Sequence, residues 1–256
     1  MLTAITREIS PAIAACQLTF HSRQPIDFAG AKRQHGEYQQ LLARLGARVI
    51  SLPAEPELPD AIFVEDTALV LDEVAVLLPM GAASRRAEKP SIEKALMPFR
   101  PIAKIELPAK IEGGDIMRID RRLFAGLSSR TNQEGIRQLA ALVSRFGYEV
   151  IAVPVEGCLH LKSACTFLGG DTIVGNRSRI DAEMFRKFEW IDVPGAEPAA
   201  GNTLTIRGKV ILPASFPLTR GLLEQRGFTV EGLDISELQK AESGLTCSSL
   251  VFEDRV

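Results

Sequence analysis

Short apolar runs alternate with polar turns along this chain, and one succession of elements recurs. Each copy has an apolar strand, a polar turn, a second strand, a helix and a closing strand that ends near a proline. The clearest copy predicts strands over 115–119 and 122–125, a helix over 131–146 and a closing strand over 149–153. Thr131 is predicted as the N-cap of this helix, with Glu134 as its capping-box partner.

Three further copies and a looser one complete the pattern. The first of the three predicts strands over 61–64, 74–78 and 102–107 and a helix over 91–99. The second predicts strands over 164–168, 172–174 and 190–193 and a helix over 181–188. The third predicts strands over 203–206, 210–212 and 228–233 and a helix over 218–226. The looser copy has a strand over 4–7, a helix over 28–45 and a strand over 48–52. Closing strands roughly 40 to 55 residues apart indicate a repeat architecture. Five ββαβ units predict an α/β ring with pseudo-fivefold symmetry, strands inside and helices outside; an ordinary α/β sandwich is the alternative.

Composition narrows the class of protein. With 256 residues, 46% of them hydrophobic, the chain can bury a sizeable core, and we predict a single domain of five repeats over 1–256. A net charge of −2 without a basic stripe argues against a nucleic-acid partner. No apolar run approaches the roughly 18 residues that span a bilayer, and no secretory signal is evident. The four cysteines are not needed as disulfides in a chain of this length, so a reduced, cytoplasmic protein is expected.

Cys247 is the strongest candidate for chemistry, in the segment 243–249 with an apolar run after it. His160 is the one histidine in a strongly patterned setting, an apolar stretch over 158–162 that is predicted to be extended. A thiol, an imidazole and acidic clusters in separate segments indicate covalent catalysis by a cysteine on a cationic substrate. The alternatives are an inert buried thiol and a packed core histidine.

Acidic residues supply the complementary charge. Asp60, Glu65 and Asp66 flank an apolar Ile-Phe-Val run, which would desolvate them and favour a planar guanidinium. Glu112 opens the sequence Glu-Gly-Gly-Asp, whose glycines permit a sharp turn or a close approach. We expect Glu112 beside His160 as the third member of a triad. A solvated turn and a simple hairpin turn are the respective alternatives.

Two arginines complete the candidate site. Arg85 and Arg130 fall at the same place in successive units, after a strand and before a helix. Each could hold a substrate carboxylate in a bidentate pair, or could be a surface arginine. No Cys-x-x-Cys, His-Glu-x-x-His or zinc-deaminase spacing occurs, so no metal is expected.

Together these residues resemble the dimethylarginine dimethylaminohydrolase family of guanidine-modifying enzymes. The resemblance covers nearly the whole chain, and it is carried by Phe63-Val-Glu-Asp66, Gly81 with Ser84-Arg-Arg86, Glu112-Gly-Gly-Asp115, Ser129-Arg-Thr-Asn132, Leu159-His-Leu-Lys-Ser163, Gly201-Asn202 and Leu245-Thr-Cys-Ser248. It implies the five-bladed β/α propeller called the pentein fold. The family often has Asn-Cys after the position of Gly201, where this chain has Asn202-Thr203.

The resemblance also implies residue roles. Cys247 would be the nucleophile and His160 the general acid and base, with Glu112 as their partner. The remaining residues would bind substrate: Asp60, Glu65 and Asp66 at the guanidinium, Arg85 and Arg130 at the α-carboxylate, and the main chain of Leu18 and Ala241 at the amino-acid end. Residues 17–28 are expected to form a mobile lid.

The implied reaction converts a small methylated arginine to citrulline and dimethylamine or methylamine, without a cofactor, through an S-alkylthiouronium intermediate on the cysteine. Three alternatives stay open. A citrulline hydrolase or an arginine deiminase could use the same groups on the same fold, although the deiminases usually carry an inserted helical domain. A regulatory arginine-binding protein would not need the nucleophile. The sequence also allows a homodimer.

Overall fold

Five sheets of three strands each make up the computed structural model, which describes residues 1–254. In every sheet the middle strand pairs antiparallel with one neighbour and parallel with the other. The strands are β1 (Leu2–Arg7), β2 (Arg48–Leu52), β3 (Ala68–Val70), β4 (Ala75–Leu77), β5 (Ile102–Lys104), β6 (Ile116–Ile119), β7 (Arg122–Leu127), β8 (Glu149–Pro154), β9 (Cys165–Gly169), β10 (Thr172–Gly175), β11 (Glu189–Asp192), β12 (Leu204–Ile206), β13 (Lys209–Pro213), β14 (Thr229–Leu233) and β15 (Leu250–Glu253). The helices are α1 (Phe28–Arg44), α2 (Lys89–Leu96), α3 (Gln133–Val143), α4 (Leu161–Ala164), α5 (Pro217–Gln225) and α6 (Ser236–Gln239).

The two ends of the chain form one sheet together. Strand β15 pairs antiparallel with β1, from Leu2 opposite Glu253 to Ile5 opposite Leu250. Strand β2 then pairs parallel with β1 after the α1 crossover. The looser first copy in the sequence is therefore a complete ββαβ unit whose first strand comes from the other end of the chain. The predicted five-bladed α/β propeller is confirmed.

Helix α3 shows how a unit is capped and packed. Its N-cap is Asn132, whose side chain accepts a hydrogen bond from the N–H of Gly135 at 2.8 Å. The predicted N-cap at Thr131 is wrong by one residue, because the Thr131 hydroxyl accepts the N–H of Glu112 instead. The helix buries an apolar stripe against its sheet, formed by Ile136, Leu139 and Val143.

One predicted strand and one predicted helix do not form, and turns take their places. Residues 61–64 were expected as a strand, but they form turns, and a 3₁₀ turn over Val64–Thr67 precedes β3. All four residues are buried. A short continuous apolar run is also typical of a buried strand, so the sequence pattern does not separate these two cases. The predicted helix over 181–188 is only a 3₁₀ turn over Ala182–Phe185, which buries Phe185 alone.

The core lies between the sheets and the outer helices. For example, Ile92 and Leu96 of α2 pack in one cluster with Leu77 of β4 and with Ile5 and Leu250 of the terminal sheet. This packing joins neighbouring units and fixes the loops at the strand ends. The four cysteines are unpaired thiols. Among residues 1–254, no helix has the length and apolar character needed to cross a membrane.

Candidate active site

A small cavity of about 20 Å³ draws its lining from distant parts of the chain. It is lined by Gln17, Asp60, Phe63, Asp66, Arg85, Arg130, Leu159, His160, Ala241, Glu242, Ser243 and Cys247. Seven of the ten site residues predicted from the sequence are in this lining. The other three are Leu18, Glu65 and Glu112, and each has a different relation to the cavity.

The Cys247 thiol is held on a 3₁₀ turn over Thr246–Ser248, immediately before β15. Its Sγ accepts a hydrogen bond from the N–H of Gly244 at 3.4 Å. Burial, followed by the negative charges of Glu65 and Asp66, raises the pKa of the thiol to about 12. At neutral pH the thiol is therefore protonated until a positive charge enters the cavity.

The His160 imidazole is bound to Glu112, with 2.7 Å between Nε2 and Oε2. Burial of the ring lowers the pKa of His160, but the nearby carboxylates outweigh this effect and raise the pKa to about 9. These carboxylates belong to Asp66, Asp115 and Glu112. His160 is therefore an imidazolium at neutral pH and can donate a proton. The extended stretch predicted over 158–162 ends at His160, because α4 begins at Leu161.

Glu112 lies behind His160 and does not line the cavity. Its side chain is fully buried, and Oε1 accepts the N–H of Gly81 at 2.9 Å. Arg130 Nη1 is 3.5 Å from the same oxygen. A carboxylate held from two sides in this way fixes the orientation of the imidazole, which is the relation to His160 expected from the sequence.

The two glycines after Glu112 permit close packing of the site. A Cβ on Gly114 would lie 2.6 Å from His160 Nδ1, and a Cβ on Gly113 would lie 1.9 Å from the Glu65 carbonyl oxygen. The N–H of Gly114 also donates to Asp66 Oδ1 at 3.0 Å. Glycine is needed here for close approach, since neither residue has a positive φ.

Asp66 and Arg85 form a buried ion pair at the cavity wall, with 2.6 Å between Oδ2 and Nη1. Arg85 also bonds to both carboxylate oxygens of Glu88. Burial raises the pKa of Asp66, but the charges of His160 and Arg85 outweigh it and hold the pKa below its usual value. The guanidinium of Arg85 is thus already engaged. Arg130, at the equivalent position of the next unit, instead donates to Thr19 Oγ1 at 3.1 Å, so the two arginines do not share one environment.

Glu65 and Leu18 were expected at the substrate, but they do not line the small cavity. The Glu65 carboxylate is ion-paired with Lys162 and accepts the hydroxyl of Thr246 at 2.6 Å. It lines a separate cavity of about 610 Å³. The adjacent residues Glu65 and Asp66 therefore line different cavities, Glu65 the larger one and Asp66 the small one. Leu18 is half-buried and packs against the same apolar cluster as Cys247.

Known proteins are similar to this chain in sequence and fold. The family model described as N,N dimethylarginine dimethylhydrolase, eukaryotic, matches residues 10–188. N(G),N(G)-dimethylarginine dimethylaminohydrolase of Pseudomonas aeruginosa is 34% identical over 228 residues, which are 88% of this chain and 90% of that protein. The chain belongs to the dimethylarginine dimethylaminohydrolase family.

Solved structures of the family match the fold closely. The Pseudomonas aeruginosa enzyme as a cysteine-to-serine mutant complexed with citrulline has a TM-score of 0.93 and 32% identity, over 98% of this chain and 100% of that chain. A histidine-to-glycine mutant of a dimethylarginine dimethylaminohydrolase, as an adduct with S-methyl-L-thiocitrulline, gives the same TM-score, identity and coverage.

One side-chain cluster in this family member has the composition of a metal site. Ligand atoms of Asp66, Glu112 and His160 lie within 4.8 Å of one another. However, Arg85 and the N–H of Gly114 already occupy the Asp66 carboxylate. A metal would also have to displace the proton of an imidazolium whose pKa is about 9. The arrangement suits an imidazolium between carboxylates better than a divalent cation.

Sequence reasoning missed two acids of the site. Asp115 is fully buried, accepts the N–H of Leu161 at 2.9 Å and the hydroxyl of Ser128 at 2.6 Å, and contributes to the raised His160 pKa. Its place at the end of the Glu-Gly-Gly-Asp motif was a usable signal. Glu242 lines the cavity next to Ala241, and nothing in the sequence distinguished it from a surface acid.

Glu112→Gln should lower the His160 pKa by about one pH unit, since a charge-assisted hydrogen bond of ~1.4 kcal/mol is lost. Asp66 and Asp115 would keep the pKa above its ordinary value. Because the folded-state pKa is raised, the ionised pair stabilises the fold fully below pH 6.5 and loses this contribution as the pH rises through about 9. The substitution should therefore lower stability most in the acidic part of this range. NMR titration of the three histidines measures the pKa directly.

Glu134→Gln is the matched control for this measurement. Glu134 is half-buried in the first turn of α3 and pairs with Arg137, and it does not line the cavity, so its loss should leave the His160 titration unchanged. An unaltered His160 pKa in Glu112→Gln would show that the Glu112 contact does not set the charge of the imidazole.

Proposed function

We propose that this protein hydrolyses Nω-methylated arginines, namely asymmetric dimethylarginine and monomethylarginine, to citrulline and dimethylamine or methylamine. The observation that carries the proposal is one cavity lined by both Cys247 and His160 in a member of this family, with Glu112 bound to the imidazole. A thiol and a proton donor facing one small space suit attack on a planar carbon whose leaving group needs a proton.

The first half-reaction depends on the charge of the substrate. Its guanidinium favours the thiolate of Cys247, and the thiol proton passes to solvent, since His160 is already protonated. The sulfur attacks the guanidinium carbon to form a tetrahedral adduct. His160 donates its proton to the dimethylamine nitrogen, the C–N bond breaks, and the amine leaves. An S-alkylthiouronium remains on Cys247.

The second half-reaction uses the now neutral His160 as a base. The imidazole takes a proton from a water molecule, whose oxygen attacks the thiouronium carbon. Collapse of this second adduct breaks the C–S bond, its hydroxyl proton passes to the departing sulfur, and citrulline and the Cys247 thiol are released. Glu112 stabilises each imidazolium that forms. One water is consumed for each amine released.

Substrate binding is proposed to follow the lining of the cavity. Asp60 and Asp66 would hold the guanidinium, and Arg130 would take the α-carboxylate because its guanidinium is less committed than that of Arg85. Arg85 would then act by holding Asp66 as well as by any direct contact. Glu65 would contribute negative charge from behind Cys247, in accord with its effect on the thiol pKa. The main chain of Leu18 and Ala241 would contact the amino-acid end.

Product analysis tests this function. Purified protein would be incubated separately with asymmetric dimethylarginine, arginine and citrulline, and citrulline, dimethylamine and ammonia would be measured. We expect dimethylamine and citrulline in equal amounts from the first substrate and no reaction with the others. Ammonia released from citrulline or arginine, with no dimethylamine from the methylated substrate, would transfer the assignment to a ureido hydrolase or deiminase. The homodimer and the cytoplasmic location stay predictions.

A further inference from the structure

The segment over 17–27, which we call the strap, joins Cys16 to helix α1 beside the cavity. It has no helix or strand, and nearly all of its residues are exposed. Gln17 at its start lines the cavity and donates its N–H to Asp60 at 3.0 Å. At about 20 Å³ the cavity is far smaller than the ~300–1,000 Å³ of typical small-molecule sites. An amino acid with a guanidine group can enter only if the strap moves.

The Glu242 side chain binds the backbone in the middle of the strap, where Arg130 contacts only the Thr19 hydroxyl. The carboxylate of Glu242 accepts the N–H groups of three successive residues, Thr19, Phe20 and His21. Successive backbone N–H groups that converge on one point form a preorganised anion site. A neutral side chain could not satisfy all three donors equally well, so the charge of Glu242 is suited to this contact.

The backbone of Glu242 is itself unusual. Its φ is +58°, in the left-handed region that residues other than glycine, asparagine and aspartate rarely adopt. This conformation directs residue 242 towards the strap, while its neighbours Ala241 and Ser243 line the cavity. The contact is therefore built into the same short segment that leads to Cys247.

Glu242 also stands between two cavities. It lines the small one and an adjoining one of about 230 Å³, and the second is lined by Phe20 and His21 of the strap as well. Leu159 and Ser243 are likewise shared by both. Release of the strap from Glu242 would remove part of the wall between them and connect Cys247 with the larger space.

We propose that Glu242 is a positioning residue that latches the strap over Cys247, and that release of this latch opens the thiol towards the 230 Å³ cavity. The latch limits access to the thiol while the site is empty. The inference concerns access to Cys247, so it does not depend on which guanidine is hydrolysed.

The test is the rate at which iodoacetamide alkylates Cys247 in Glu242→Gln, which keeps the size of the side chain and removes its charge. Mass spectrometry of the Cys247 peptide separates this thiol from the other three. We expect the rate to rise at least about tenfold, which corresponds to the loss of one charge-assisted hydrogen bond of ~1.4 kcal/mol. The increase should be the same at every pH, because access and not thiol ionisation has changed.

Glu237→Gln is the matched control. Glu237 accepts the N–H of Asp27 at 2.8 Å at the far end of the strap and lines neither cavity, so its loss should leave the alkylation rate within about twofold of the native protein. An unchanged rate in Glu242→Gln, an equal rise in Glu237→Gln, or a displaced pH profile without a higher plateau would each overturn the latch. Circular dichroism and the melting temperature establish that the variants are folded.

Discussion

Cys247→Ser is expected to lower kcat for asymmetric dimethylarginine by roughly 10⁴-fold or more while the protein stays folded. A serine hydroxyl ionises far less readily than a thiol, and His160, which is protonated with a pKa of about 9, cannot act as its base. Within residues 1–254 the sulfur makes one hydrogen bond, from the N–H of Gly244, so a smaller oxygen should fit without strain. Steady-state dimethylamine release measures the loss.

Substrate binding provides the internal check on this result. The residues proposed to hold the guanidinium and the carboxylate are untouched, so Kd for asymmetric dimethylarginine, from calorimetry, should change by less than about tenfold. Cys158→Ser is the matched control, because Cys158 lines the neighbouring cavity and not the small one. Turnover by Cys247→Ser within tenfold of the native rate would remove Cys247 from its role as nucleophile.

His160→Gly should lower kcat for asymmetric dimethylarginine by roughly 10²- to 10⁴-fold, the range that general acid–base groups supply. Dimethylamine cannot leave without a proton. S-Methyl-L-thiocitrulline should behave differently, because its methanethiolate leaves without one: the C–S bond to the methylthio group breaks as Cys247 bonds to the same carbon. The resulting adduct should accumulate, since no imidazole remains to deprotonate water.

Peptide mass spectrometry after incubation with S-methyl-L-thiocitrulline measures this accumulation. We expect stoichiometric modification of Cys247 in His160→Gly and little in the native protein, where the adduct is hydrolysed. His21→Ala serves as control, because only the backbone N–H of His21 contacts Glu242 and its ring is exposed. Rapid release of citrulline by His160→Gly without a lasting adduct would show that another group activates the water.

Much of this architecture is readable from the sequence because the ββαβ period is carried by local patterns. The pair β6 and β7, helix α3 and strand β8 follow from alternation, an apolar stripe and a closing proline. Cys247, His160 and Glu112 could be selected because each lies in a short motif whose chemistry is recognisable. Their convergence then followed from a closed ring.

Other features depend on contacts that no local pattern encodes. Strand β15 belongs with β1 only because the ring closes, over a separation of almost the whole chain. Thr131 is a suitable residue type for an N-cap, but its hydroxyl accepts the N–H of Glu112 instead. The side chains of Glu65 and Asp66 point apart because their ion-pair partners, Lys162 and Arg85, lie on different sides of one short turn. Tertiary partners decided each case.

The most direct test of the central claim is rapid-quench mass spectrometry of the native protein during turnover of asymmetric dimethylarginine. Samples quenched on the timescale of one turnover would be digested and searched for the amidino adduct. The account predicts this adduct on Cys247, appearing with the first dimethylamine and decaying as citrulline forms. Dimethylamine released in a full first turnover with Cys247 unmodified at every time point would contradict it.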